Sequence, residues 1–346
     1  MEHGRKRDES SGRPGHPVNV IRPYPDDRAE ITPAGSHPAT GRHRYACRVE
    51  RWGRLAVMTG VLFWSLGNLV VRDAELDGPR LALWRYIIAA GLYTAYHLRR
   101  VGPPSLADAR VAAPAALAIT IEIALFFTAI QRTTVANVTV IGSLVPLVLA
   151  WVAVKRYGER IPVPVMVAAV FGLAGVGAVV WGSAAAVRWS LTGDALAVGA
   201  LLFFAAYFVF AKEARGRLST ASLQTYTAII GIPVLIIASF LVGGTAAPPS
   251  GAEWRFPLML VALPATGHIM VNWAHRYVTL TFASLMALAV PVLSAGGAWL
   301  AFGDALNGSQ VVGMVVVLLV LAFVVVQGEQ GRFRSAKPGG RRDLVS

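Results

Sequence analysis

The sequence predicts an all-α polytopic membrane protein, with ten transmembrane helices arranged as two inverted five-helix repeats. Three observations carry this. The 346 residues are 55% hydrophobic and only 15% charged, whereas a soluble domain carries about 25% charged residues. The apolar residues gather into ten stretches, each near the length of about 20 residues that spans the hydrocarbon core. One block is also written twice. Residues 133–161 read TTVANVTVIGSLVPLVLAWVAVKRYGERI, and residues 278–306 read VTLTFASLMALAVPVLSAGGAWLAFGDAL. Pro146 matches Pro291, Gly158 matches Gly303 and Glu159 matches Asp304, each at an offset of 145. An internal repeat made of membrane spans is a signature of secondary transporters, because alternating access is readily built from two related halves.

The first repeat holds the stretches at 55–71, 80–98, 111–130, 135–154 and 162–182. The second holds those at 193–211, 219–242, 256–274, 279–301 and 309–327. No residue is charged from Leu218 to Gly251 or from Tyr277 to Gly303. Polar and apolar residues do not alternate along them, so helices rather than a β-barrel satisfy their backbone groups in lipid. Five spans per repeat is an odd number. The second half therefore enters from the opposite face, and the halves should be related by a pseudo-two-fold axis in the membrane plane. The opening spans agree: FWSLGNLVVR at 63–72 resembles FFAAYFVFAK at 203–212, which sets Arg72 against Lys212.

The first 50 residues hold six prolines and few large apolar residues, too little apolar surface to offset the entropy of ordering. Residues 1–51 are thus expected to be a disordered cytoplasmic tail and not a signal peptide, since no apolar stretch precedes residue 55. The two repeats occupy 52–190 and 191–328, and 329–346 form a basic cytoplasmic tail. The net charge of +13 does not point to nucleic acid, because the basic residues sit on tails and short loops rather than on one soluble face. With both tails on one side, the loops there carry ten Lys and Arg and the opposite loops five, which favours cytoplasmic termini in the cell (inner or plasma) membrane. Glu159 then lies at the inner surface and Asp304 at the outer one. A single cysteine, Cys47, excludes intramolecular disulfides and thiolate metal clusters. No metal or other cofactor is expected. No GxxxxGK[ST] loop is present, so a gradient must drive any transport. GLAGVGAVVWG at 172–182 lies inside an apolar span and reads as close helix packing. Asn307-Gly308-Ser309 reads as the turn opening the tenth span.

Glu122, near the middle of the third span, is the sharpest candidate for chemistry. An isolated acid there costs about 2.5–3.5 kcal/mol, and desolvation favours its neutral form. It is either a proton carrier or substrate partner, or a structural partner of Arg85 in the second span, whose depth differs by only about 5 Å at a 1.5 Å rise per residue. His268 and Asn272 lie one turn apart on one face of the eighth span. Glu122 maps onto Gly267 at the repeat offset, so Glu122 and His268 occupy nearly equivalent places close to the pseudo-symmetry axis. His268 is otherwise a satisfied interior histidine, and no second ligand stands at metal-binding spacing. Asn137 and Thr139 of the fourth span and Trp64 and Asn68 of the first could offer polar and aromatic contacts. Tyr207 of the sixth span and Trp273 of the eighth could stack on a planar or cationic group. Interfacial anchoring is the other reading of the tryptophans, and fits Trp52, Trp189 and Trp254. Pro146 and Pro291 should kink their spans and free the carbonyls of Gly142 and Ala287.

The FWSLGNLVVR span, the LALWRYIIAAGL second span and the duplicated block together resemble the EamA family of the drug/metabolite transporter superfamily, over residues 55–327. The resemblance implies a ten-helix exporter of amino acids, other metabolites or drugs. It implies that spans 1, 3, 4, 6, 8 and 9 wall a central cavity, and that spans 5 and 10 form scaffold or the surface of a homodimer. The expected function is secondary export of a small metabolite, an amino acid or related compound, with protons as a possible coupling ion. An organic-cation extruder of the same fold, to which Glu122, Trp64 and Tyr207 would be suited, is the alternative. A non-transporting membrane partner or an intramembrane enzyme is the other class; an enzyme is not expected, because the middles of the spans hold one Glu, one Arg and one His rather than a catalytic cluster.

Overall fold

The computed structural model describes residues 39–74, 76–132, 138, 141–183, 190–303 and 305–329. Asn137, Thr139, Asp304 and Trp189 lie outside these residues, as do most of both tails. The described chain is helical nearly throughout. The first three spans are α1 (Ala39–Asp73), α2 (Gly78–Arg100) and α3 (Leu106–Arg132). The fourth ends in α4 (Val145–Tyr157), and α5 (Val163–Ser183) closes the first repeat. The second repeat opens with α6 (Leu191–Ala214) and α7 (Thr220–Leu241). Its third span is composite: a 3-10 turn Gly251–Trp254, α8 (Arg255–Leu260), a π turn Val261–Ala265 and α9 (Thr266–Ala274). The fourth is α10 (Leu280–Met286) followed by α11 (Ala289–Phe302), and α12 (Gly308–Glu329) ends the chain.

Eight helical segments among the described residues are long and apolar enough to cross a membrane. The second span, which carries Arg85, three tyrosines and His97 between Leu81 and Leu98, is not one of them. Of the fourth, residues 138 and 141–144 and the 13-residue helix that follows are described. The protein is an all-α, multi-pass membrane protein.

The helix pairings are exchanged between the two halves. Span 1 packs on span 8, and its counterpart pairing is span 3 on span 6. Span 2 crosses span 7, and span 5 crosses span 10. Span 3 on span 7 mirrors span 2 on span 8, and span 1 on span 9 mirrors span 4 on span 6. This is the pattern of a pseudo-two-fold relation, and five spans per half make it an inversion.

The duplicated block builds a pair of helix ends. Gly158 and Gly303 both take the left-handed conformation, at φ 61° and 70°, and their N–H groups donate to Ala153 O and Trp299 O. A non-glycine residue would be strained at either place. The acid after the first glycine then caps a helix of the other repeat. Glu159, 6% exposed, accepts from the Leu280 and Thr281 N–H groups at 3.0 and 3.3 Å and from the Thr281 hydroxyl at 2.7 Å. A carboxylate on the free N–H groups of α10 stabilises that end through hydrogen bonds and through the helix dipole.

The prolines mark breaks with a defined geometry. Turns at Ser143–Leu144 and Ala287–Leu288 interrupt spans 4 and 9, and Pro146 and Pro291 lie in the first turn of the helices that follow. The expected free carbonyl at Ala287 is not found, because Val290 N–H donates to it at 3.0 Å in a tightened turn. A further break, in span 8, was not expected from the sequence. There Pro264 sits inside the π turn and packs against Gly67 of α1, where a Cβ would come within 2.8 Å of its ring.

One tail expectation is corrected. Helix α1 begins at Ala39, within the segment assigned to the disordered tail, immediately after Pro38, the last of its six prolines. Beyond that proline nothing breaks the helix, and Arg54 pairs with Glu50 one turn away.

Asn307 caps α12 as expected: its side chain accepts from Gln310 N–H at 3.0 Å, while the Gln310 side chain accepts from Asn307 N–H at 2.9 Å. The glycines of span 5 serve close packing. A Cβ on Gly175 would stand 2.9 Å from Gly313 O of span 10, and one on Gly313 would stand 2.5 Å from Gly175 O. Val170, Phe171, Val312 and Leu319 on these two spans are exposed.

Two stability outcomes are expected in detergent melts. Gly313→Val should cost about 1–3 kcal/mol by overpacking, while Gly177→Ala, with open space around it, should be near neutral. Glu159→Ala should cost about 1–3 kcal/mol, because it leaves buried N–H groups at the start of α10 without an acceptor.

Candidate functional site

A narrow cavity of about 30 Å³, widening into an open mouth, lies between the two repeats. Helix α2 contributes Arg85, Tyr86 and Tyr93, and α3 contributes Ile119. The second repeat supplies Tyr207 from α6, Gln224 and Thr227 from α7, and Ala265 and His268 from span 8. The site is positioned by close helix crossings. Gly60 of α1 and Gly267 of α9 meet backbone to backbone, with a Cβ on either lying 2.9 or 2.6 Å from the other's carbonyl oxygen. On the other side Gly231 of α7 makes room for Tyr86, whose ring would be 2.4 Å from an added Cβ. Only glycine permits these approaches.

Several wall atoms lack partners. Thr227 Oγ1 and His268 Nδ1 are buried without a hydrogen bond. The Tyr93 hydroxyl lies near Gln224 without closing a hydrogen bond. Buried polar atoms in native proteins are nearly always satisfied; unpartnered ones stand on this wall at Thr227 and His268 and off it at Trp64 and His275. Behind His268 stands Trp64, with ring centroids 4.9 Å apart and its own Nε1 buried and unpartnered.

Beneath the cavity a polar layer is fully paired. The Tyr207 hydroxyl lies 3.0 Å from Asn272 Oδ1 and 2.8 Å from Nδ2, and that amide nitrogen also donates to Gln224 Oε1 at 2.8 Å. Asn272 is 0% exposed. One turn further, Arg215 donates from Nε to Asn272 O at 3.0 Å and also bonds Leu218 O. Arg276 Nε donates to Arg215 O at 2.6 Å, and Lys212 Nζ donates to His275 O and Val278 O at 3.1 and 2.8 Å. Arg215 and Lys212 sit on carbonyls at the end of α9, where the helix dipole favours positive charge, and Arg276 sits on the carbonyl that follows α6. They draw the ends of spans 6, 7 and 8 together on the face where α1 begins.

The sequence candidates divide. Arg85, Tyr207 and His268 line the cavity, and Asn272 holds Tyr207 and Gln224 against it. Glu122 is half-buried close to the cavity but not on its wall. It interacts with the charge of Arg85 across a gap wider than an ion pair: among the described residues, no carboxylate lies within 4.0 Å of that guanidinium. The structural Arg85–Glu122 pair is therefore absent. Trp64 backs the wall rather than lining it. Asn68 is drawn elsewhere, donating to Ser294 Oγ at 3.1 Å between spans 1 and 9. Trp273 packs on Tyr277, with ring centroids 4.8 Å apart, away from the cavity. Pro146 and Pro291 are breaks in spans 4 and 9, not wall residues. His275 was missed; both of its ring nitrogens are buried without partners beside Phe208.

Tyr86, Tyr93, Gln224 and Thr227 were also missed by sequence reasoning, and one signal could have found three of them. At the offset of 140 that pairs Arg72 with Lys212, WRYIIAAG at 84–91 falls on QTYTAIIG at 224–231. Polar residues clustered at matching places in spans 2 and 7 point to a shared crossing. No group of three or more His, Cys, Asp or Glu side chains among the described residues could hold a metal.

A cavity walled by two exchanged helical repeats inside a membrane, mostly apolar but with Arg85, Gln224, Thr227 and His268 on its wall, is the construction of a membrane transporter. The chain belongs to the EamA-like transporter family, which it matches over residues 51–181 and 191–326. An uncharacterized transporter of Archaeoglobus fulgidus is 24% identical over 273 residues, covering 78% of this chain and 95% of that protein. A crystal structure aligns with a TM-score of 0.68 at 19% identity, over 81% of this chain and 98% of the other, a likeness of fold.

Asn272→Leu is expected to lower stability by about 1–3 kcal/mol, because it strands the Tyr207 hydroxyl and the Gln224 amide. A melting temperature equal to that of the parent would contradict this account of the layer.

Proposed function

We propose that the protein is a secondary active transporter that exports a small metabolite, an amino acid or related compound, by alternating access of its two repeats. The observation that carries the reading is the cavity, walled by spans of both repeats and lined with buried polar atoms that have no partner in the protein. Two halves that rock about such a site would expose it to each face in turn. The breaks at Ser143–Leu144, Val261–Ala265 and Ala287–Leu288 give spans 4, 8 and 9 places to bend. The Lys and Arg bias supports a cytoplasmic position for both termini in the cell membrane. The amino-acid class and the outward direction rest on likeness to the family.

Glu122 is assigned to coupling, with protons as the coupling ion. It is an acid in the interior of a span with no ion pair within 4.0 Å among the described residues, free to change its protonation as the cavity changes. An organic cation is the weaker substrate reading, because Arg85 is the one full charge on the described wall.

Counterflow in proteoliposomes with a metabolite panel tests transport, and flux of at least one small metabolite is the expected result. Flux of none, from protein shown to be folded, would overturn it. In Glu122→Gln the pH dependence of flux should flatten. A profile identical to that of the parent, at equal protein levels, would remove Glu122 from coupling.

A further inference from the structure

Arg85 faces a cavity in the interior of a membrane protein, and its charge is not neutralised by contact. Its guanidinium stands 5.1 Å from the centroid of the Tyr86 ring, and among the described residues no carboxylate lies within 4.0 Å. An arginine keeps its charge at any physiological pH. A charge held at membrane depth is costly unless an anion or water answers it. Glu122 answers it only at longer range and does not reach the wall. The position nearest the guanidinium is thus left to whatever occupies the cavity. The planar fork of donors on arginine matches two carboxylate oxygens at once.

The rest of the wall restricts the occupant further. Tyr86, Tyr93 and Tyr207 present aromatic surface from two helices of opposite repeats. Rings of this kind prefer a flat, apolar body in stacked or edge-on contact. Thr227 Oγ1 and His268 Nδ1, both orphaned, ask for a hydroxyl or carbonyl on the same ligand. No carboxylate is on the described wall to receive an ammonium group, and Arg85 repels one.

We propose that the cavity recognises an aromatic carboxylic acid bearing a hydroxyl or carbonyl substituent, with Arg85 as the carboxylate anchor, and that it disfavours compounds carrying an ammonium. This rests on the transport reading and narrows its substrate class from amino acids and related compounds to related carboxylic acids that lack the ammonium.

Equilibrium binding to the purified full-length protein in lipid nanodiscs tests it, with 3-phenyllactate, its carboxamide, phenylalanine and phenethylamine as probes. Phenyllactate should bind most tightly. Its amide should bind about tenfold or more weakly, the loss expected when a charge-assisted bidentate contact disappears. Arg85→Gln should abolish the preference for acid over amide, and Arg85→Lys should retain it in reduced form. Because the comparison of acid with amide is made on the unaltered protein, a variant that fails to fold leaves the test intact. An amide that binds as well as the acid, tighter binding of phenylalanine or phenethylamine, or no binding of phenyllactate overturns the proposal. Counterflow is measured separately. Acid binding without any flux overturns the transport reading alone, and flux of other metabolites without acid binding overturns the anchor alone.

Discussion

Inside a bilayer the backbone has no water to bond, so every helix end and every break must find its partner within the chain. Much of this structure follows from that requirement. The glycine after each half's fourth span turns the chain back in the left-handed conformation, and its N–H closes on the helix it ends. Glu159 then bonds the free N–H groups of α10, a helix of the other repeat. Lys212 and Arg215 do the converse at the end of α9, placing donors on carbonyls that the helix leaves open. The bonds that finish helices are thus also bonds that join spans and repeats.

The same requirement explains why the cavity stands out. Part of its wall is paired, since Tyr207, Asn272 and Gln224 satisfy one another and the arginines beneath sit on carbonyls. Thr227 Oγ1 and His268 Nδ1 on the same wall have no partner, as do Trp64 Nε1 behind it and the His275 ring.

Inversion makes the scaffold symmetric, and departures from symmetry make the site. Gly267 lets α9 touch Gly60 of α1, but its counterpart in span 3 is Glu122, which brings an acid close to the cavity where the other half brings none. Pro264 opens a π turn in span 8, and its counterpart Ile119 lies in unbroken helix. Gly231 yields to Tyr86, while nothing lies within 4 Å of a Cβ on Gly91, its counterpart at offset 140. Two copies of one fold can share their crossings and still differ in every group that meets a ligand.

The sequence by itself determined the class of fold, the repeat and the breaks near Pro146 and Pro291. These follow from apolar length, from the matching blocks and from the missing N–H of proline. It also named Arg85, Tyr207 and His268, since polar groups deep in apolar spans are few. The tertiary structure alone decided that Asn68 turns to Ser294 and Trp273 to Tyr277, that Arg85 and Glu122 stand apart, and that Tyr86, Gln224 and Thr227 face the same space. The physical reason is rotational. In water an amphipathic stripe reveals which way a helix faces, but a span apolar on every side carries no such stripe. Its rotation is set by glycine contacts and side-chain packing with neighbours distant in sequence, and those exist only once the helices have met.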